Sequence, residues 1–195
     1  MFTLLYTNTS AQSISNIQYT NPLCFGESSG NSNTIISQTS PPTYLEVKLY
    51  FQNPSTGFWA NIGNSYGANF SYPFVNLTSG QYRIQIIDTI SPSIVIEEQT
   101  FTLIDPSVFI SNINTISPIQ CNGGVGDLSV STTGGTNPIS AYLWSDGSNG
   151  ISASVVSGIW SCSVEDSNGC VSIDSILLTE PAILEASGFV SQYIL

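Results

Sequence analysis

Gly158-Ile-Trp-Ser-Cys-Ser-Val-Glu-Asp166 alternates without a break: Trp160, Cys162 and Val164 fall on one side of an extended chain, Ser161 and Ser163 on the other. A strict period of two is the signature of a strand with one buried face. Gly80-Gln-Tyr-Arg-Ile-Gln-Ile-Ile-Asp88 has the same phase, with Tyr82, Ile84 and Ile86 as the inward set, and in both stretches the glycine precedes the aspartate by eight residues. The agreement extends outward. Ile14-Ser-Asn-Ile17 recurs as Ile110-Ser-Asn-Ile113, Cys24-x-Gly26 as Cys121-x-Gly123, and Asp105-Pro106 as Glu180-Pro181. Repetition on this scale makes the chain a tandem array of one supersecondary plan. Arrays are spacers, stalks or assembly units more often than enzymes.

Short runs of β-branched and aromatic residues alternate with Gly, Pro, Asn and Ser clusters, and no segment carries a helical apolar period. Strands are predicted over Tyr44–Phe51, Gln81–Ile87 and Ile159–Glu165, and further ones over 14–20, 34–38, 70–74, 94–103, 127–132, 141–145, 151–156 and 170–178. Asp166-Ser-Asn-Gly169 supplies turn residues that tolerate positive φ. About seven strands per copy predict an all-β fold of two tandem immunoglobulin-like antiparallel β-sandwich modules; a closed barrel is the alternative. The modules are expected at 12–108 and 109–187. Residues 1–11 read as an N-terminal extension or donor strand, and 188–195 as a terminal strand or the start of a further repeat. The linker Pro106-Ser-Val-Phe-Ile110 is short and reads as stiff.

The first module is longer, and the extra length lies between Cys24 and Gly80. Asn61-Ile-Gly-Asn-Ser-Tyr-Gly67 is therefore expected to be an inserted loop. Insertions in repeats often mark the side that touches something, although a long hairpin without a partner is an equal alternative. Trp59 and Tyr66 are the candidate contact residues, because exposed aromatics make strong anchors. Tyr82, Trp144 and Trp160 are the expected core aromatics.

Composition removes many functions. Charged residues are 8% of the chain, against about 25% in ordinary soluble domains. The net charge of −11 sets 13 acids against Lys48 and Arg83. Two cations are too few to neutralise a run of phosphates, so nucleic acid is excluded as a partner, and an anionic membrane surface with it. Histidine is absent, which excludes Ser-His-Asp and Cys-His catalysis and His-ligated zinc. No carboxylate pair sits in a recognisable catalytic motif, and an enzyme is not expected. No apolar run approaches the ~20 residues of a membrane-spanning helix, so membrane insertion is not expected. Met1-Phe-Thr-Leu-Leu-Tyr6 lacks the basic start of a secretory signal, which suits either an excised piece of an exported protein or a particle component.

Cys121-Asn-Gly-Gly-Val-Gly126, Trp144-Ser-Asp-Gly147, Gly158-Ile-Trp160, Val164-Glu-Asp-Ser-Asn-Gly-Cys170 and Leu178-Thr-Glu-Pro181 together resemble the SprB-type repeat of large Bacteroidetes surface adhesins, also found in giant-virus proteins. The likeness is clear over 110–187. Over 12–108 it is degenerate, keeping Cys24-Phe-Gly26, Gly80-Gln-Tyr82 and Asp88 but lacking the Asn-Gly-Cys. The resemblance implies an extracellular immunoglobulin-like module with structural or adhesive duty and no active site. It also implies a disulfide between Cys121 and Cys170, which would contribute about 4 kcal/mol by loop closure. A Cys162–Cys170 bridge would have to span the hairpin between them. Cys162, on the apolar face, reads as a buried thiol, and Cys24 is expected to be buried.

No Asp-x-Asp-x-Asp-Gly loop is present, so no cofactor is expected; calcium is a minor alternative, chiefly near Asp105. Aspartates in turns usually cap the local backbone. Asn8, Asn69 and Asn76 begin formal glycosylation triplets. The leading functional expectation is a non-enzymatic structural or adhesive module at the cell surface, with neighbouring copies or repeats of the same protein, surface glycans or other proteins as partners. A self-assembling subunit of a filament or virion surface is one alternative, and a carbohydrate-binding module a second.

Overall fold

A computed structural model describes residues 12–37, 44–68, 70–89 and 94–188. The chain divides into two compact units, Met1–Ser107 and Val108–Leu195. Unit 1 contains β1 (Ser13–Thr20), β2 (Gly30–Ser37), β3 (Leu45–Gln52), β4 (Trp59–Gly67), β5 (Ser71–Leu77), β6 (Gly80–Asp88) and β7 (Val95–Leu103). They form a three-stranded sheet in the order β1-β2-β5 and a four-stranded sheet in the order β4-β3-β6-β7. Unit 2 contains β8 (Ile110–Ser117), β9 (Gly126–Thr133), β10 (Ile139–Trp144), β11 (Ser152–Val155), β12 (Gly158–Asp166) and β13 (Val171–Leu178), in sheets β11-β9-β8 and β10-β12-β13. Every pairing is antiparallel, and the described residues hold no helix. Each unit is an immunoglobulin-like sandwich.

The two cores follow from the alternation. Leu45, Val47 and Leu49 of β3, Tyr82, Ile84 and Ile86 of β6, and Phe101 and Leu103 of β7 meet Ile14, Ile36, Tyr72 and Leu77 of the facing sheet. In unit 2, Trp144, Cys162, Val164 and Leu178 meet Ile113, Leu128, Val130 and Val155. Trp160 is only half-buried and packs at the margin of that cluster, so it is less central than the sequence reading made it.

The recurring motifs have structural causes. Gly80 and Gly158 adopt φ of 145° and 152° at the turn into β6 and β12. A side chain at Gly80 would sit 2.4 Å from the Phe51 ring. The aromatic two residues later turns back onto the same corner: Tyr82 Oη donates to the Thr78 carbonyl at 2.7 Å, and Trp160 Nε1 to the Val156 carbonyl at 2.9 Å. This is the corner device of immunoglobulin-like sandwiches, with tryptophan replacing tyrosine in unit 2. The seam between the first and last strands is also shared. In unit 1 the Ile14 N–H donates to Glu97 Oε2 at 2.6 Å; in unit 2 the Ser111 and Ile113 N–H groups donate to Ser172 Oγ and Asp174 Oδ2 at 2.8 and 2.7 Å. Side chains of β7 and β13 thus satisfy backbone donors that the sheet pairing leaves open.

Two expectations are corrected. The stretch Asn61–Gly67 is not an inserted loop but part of a long hairpin, the alternative reading: with Trp59 it forms β4, the extra edge strand of unit 1, which has no counterpart in unit 2. Its Asn and Gly content disfavours strand, but the open edge of β3 supplies backbone partners along its length, with a register shift at Leu49/Tyr50. Tertiary pairing outweighs local propensity here. The Cys121–Cys170 bridge does not form either. Cys121 is an exposed thiol and Cys162 a buried one, and the free Cys162 thiol also rules out a Cys162–Cys170 bridge. Cys121 lies in the β8–β9 turn, where Gly123 N–H reaches Glu180 Oε2 at 2.6 Å, beyond the end of β13. Cys170 lies just before the start of β13. The eight residues of β13 put about 26 Å between those ends, far beyond disulfide reach. Burial pushes the Cys162 thiol pKa up. Cys24 is buried.

One buried pair stands out in unit 1. Ser32 and Thr34 of β2 point into the core at 1% and 0% exposure, and neither hydroxyl has a hydrogen-bond partner among the described residues. A buried hydroxyl without a partner costs stability. Thr34→Val keeps the shape and removes the hydroxyl, so it is expected to stabilise unit 1 by about 1 kcal/mol. The denaturation midpoint checks this; a lower midpoint in the variant would show that the hydroxyl is satisfied.

Candidate functional site

The outer face of the four-stranded sheet in unit 1 holds both candidate contact residues. Residues of β3 that do not enter the core are Glu46, Lys48, Tyr50 and Gln52; on β6 they include Gln81, Arg83 and Gln85. Register places Tyr66 beside Glu46, Lys48 between Asn64 and Gln85, Tyr50 between Asn61 and Arg83, and Trp59 beside Gln52. The only two cations of the sequence, Lys48 and Arg83, therefore share this one face.

Arg83 organises it. Its guanidinium carbon lies 4.5 Å from the Trp59 ring centroid and 5.1 Å from that of Tyr50, close enough for cation–π attraction to both. Glu98 of β7 approaches Arg83 Nη1 at 3.5 Å and accepts from Gln85 Nε2 at 2.6 Å. Toward the other end Tyr66 Oη donates to Glu46 Oε1 at 2.8 Å, and Lys48 Nζ lies 3.5 Å from Glu46 Oε2. The hydrogen bond to the Glu46 carboxylate raises the Tyr66 phenol above its ordinary pKa. Tyr66 is 52% exposed and Trp59 partly so. Trp59 and Tyr66 thus lie on one face at different rows, each held by a charged partner. Tyr50, Arg83, Gln85 and Glu98 complete the face and were not singled out from sequence. Their outward phase was readable, but their approach to Trp59 depends on β4 pairing with β3.

Beside the Trp59 end lies an open cleft of about 470 Å³ lined by Phe51, Gln52, Pro54, Ser79, Gly80 and Gln81. Its apolar rings and side-chain amides can stack against and hydrogen-bond to a neutral polar ligand. No three His, Cys, Asp or Glu side chains converge on a metal-sized site among the described residues. The Asp105 carboxylate accepts the Ser79 hydroxyl at 2.8 Å. Asp146 and Asp166 act as turn caps: Asp146 Oδ1 takes the Ser148 N–H at 2.9 Å, and Asp166 Oδ1 the Asn168 N–H at 2.9 Å. Asn76 is exposed at the end of β5, whereas Asn8 and Asn69 lie outside the described residues, as do the proposed donor strand 1–11 and residues 189–195.

No protein-family model matches the chain, and no curated protein matches it. Among solved structures it is similar to the N-terminal four Ig domains of Dscam1 isoform 9.44, at 15% identity and a TM-score of 0.35, covering 88% of this chain and 46% of that one. It is also similar to the Ig1–Ig3 ectodomain of mouse nectin-like molecule 4, at 11% identity and a TM-score of 0.33, covering 87% and 66%. A third similarity is to the fibronectin(III)-like modules of Clostridium thermocellum CbhA, at 13% identity and a TM-score of 0.31, covering 90% and 100%. The chain spans about half the length of the Dscam1 fragment. Strand order and pairing make it two tandem immunoglobulin-like β-sandwiches, one with the additional edge strand β4 and one without.

Proposed function

We propose that this chain is a non-enzymatic adhesive or structural module of an extracellular surface protein, an array of SprB-type repeats, and that unit 1 makes its contacts through the Trp59–Tyr66 face. The observation that carries the reading is the Tyr50–Arg83–Trp59 stack. A rigid, partly exposed aromatic pair with a stacked guanidinium loses little side-chain freedom on binding, which suits an interface anchor. The adjoining cleft favours a saccharide as one class of partner, because its ring faces and amides match the two surfaces of a sugar.

The test uses the full chain on a glycan array and on beads coated with other surface proteins. Where a ligand is captured, Trp59→Ala is expected to weaken binding about thirtyfold, the effect of losing an anchor worth about 2 kcal/mol, with the unfolding midpoint little changed. Captured ligands that bind the W59A and Y66A variants as tightly as wild type would place the contact elsewhere. An array without hits removes the saccharide class.

A further inference from the structure

The matching outer face in unit 2 has the opposite character. On β13 the outward residues are Val171, Ile173, Ser175 and Leu177, while Ser172 and Asp174 turn inward to bond β8. Over Val171–Asp174 the usual polar-out, apolar-in order of a half-buried strand is thus reversed, while Ile176 and Leu178 still face the core. Register sets Ile159 beside Leu177, Ser161 beside Ser175, and Leu143, Ser163 and Ile173 in one row. Exposures are 52% for Leu143, 77% for Ile159, 57% for Val171, 68% for Ile173 and 65% for Leu177. A contiguous exposed aliphatic face of this kind marks an interaction surface.

Charge and relief indicate the occupant. In a sequence of net charge −11, this face carries a single ionisable group, Glu165 at the Val171 end. The corresponding face of unit 1 carries Glu46, Lys48, Arg83 and Glu98. Two copies can therefore meet here without the repulsion that the rest of an acidic surface imposes. The relief can pair with itself as well. The Ser161–Ser175 row is a low strip between the Ile159–Leu177 pair and a row in which Leu143 and Ile173 flank Ser163, so the Ile159–Leu177 ridge of one copy can seat in the serine strip of another. We propose that the outer face of β10-β12-β13 packs against the same face of a second copy, as an isologous sheet-on-sheet contact. This is independent of any ligand on unit 1.

Sedimentation equilibrium of the full chain tests it, at concentrations up to about 1 mM, the weak end of specific association. Wild type is expected to dimerise. The Ile159→Glu/Ile173→Glu double variant should raise the dissociation constant about a hundredfold or more, and Ser175→Arg, which fills the serine strip, should do the same with circular dichroism unchanged. Trp59→Ala and Cys121→Ser should dimerise like wild type, the latter showing that the exposed thiol is not the link. A wild type that is monomeric throughout overturns the proposal, as does undiminished dimerisation of the folded Ser175→Arg variant. A monomeric wild type that takes up neutral phosphatidylcholine vesicles, or a synthetic peptide of residues 188–195, through Ile159 and Ile173 assigns the face to lipid or to a chain segment and also overturns it.

Discussion

Trp144→Ala is expected to cost unit 2 about 4 kcal/mol, the upper part of the range for large-to-small core changes. Trp144 is 2% exposed and is the largest fully buried side chain of the chain. It joins β10 to the cluster of Leu128, Val130, Val155, Cys162 and Val164. Its Nε1 donates to the Gly150 carbonyl at 2.9 Å, which fixes the loop leading to β11. Alanine therefore leaves a cavity and an unpaired loop carbonyl together. A loss of this size is a large fraction of the stability of a domain this small. Trp144→Phe keeps most of the volume and should cost only about 2 kcal/mol. Hydrogen exchange resolved by strand checks both: β9, β10 and β12 should lose protection, while β3 and β6 of unit 1 keep theirs. Wild-type protection in β10 and β12 of the alanine variant would show that the indole is not the centre of that core.

Asp166→Ala is expected to cost unit 2 about 3 kcal/mol. Asp166 is 1% exposed, and its carboxylate accepts the N–H groups of Thr136, Asn168 and Cys170 at 2.7, 2.9 and 2.9 Å. It pins the β9–β10 connection to the β12–β13 turn, and its loss leaves three donors unpaired at one end of the sandwich. Burial by itself would raise the carboxyl pKa, but the backbone donors outweigh it and hold the pKa below the usual range. The folded state thus binds the proton more weakly than the unfolded state. The stabilisation is complete above the ordinary carboxylate pKa of about 3.9 and is lost as pH falls through the depressed folded value. Asp166→Asn removes this titration. The stability gap between wild type and Asp166→Asn should therefore be constant near neutrality and narrow on acidification below about pH 4. A gap that widens with acid would reverse the sign and refute the role given to the carboxylate.

Much of the architecture was legible in the chain. The alternation of β6 and β12 showed which residues enter the cores, and the repeat showed that two units share one plan. The Gly-x-Tyr and Gly-x-Trp motifs were visible as recurrences, but their cause, an aromatic hydrogen-bonded to the carbonyl four residues back, appeared only with the turn geometry. The candidate site was half-read. Trp59 and Tyr66 were marked as exposed aromatics, yet Asn61–Gly67, which holds Tyr66, reads as an inserted loop, because extra length in one copy does not show that it pairs with the open edge of β3. The pairing of Cys121 with Cys170, which the SprB resemblance implied, failed for a related reason: shared motifs do not reveal that the two turns lie at opposite ends of this sandwich.

The division has a single physical origin. Side-chain alternation is a property of one strand, so the sequence by itself determined the β class, the repeat and the inward and outward sets. Which outward sets lie side by side depends on strand order and register, made by backbone pairing between segments far apart in the chain. Only the folded sheets could therefore bring Arg83 to Trp59 and Tyr50 in unit 1, and gather Leu143, Ile159, Ile173 and Leu177 into one aliphatic face in unit 2.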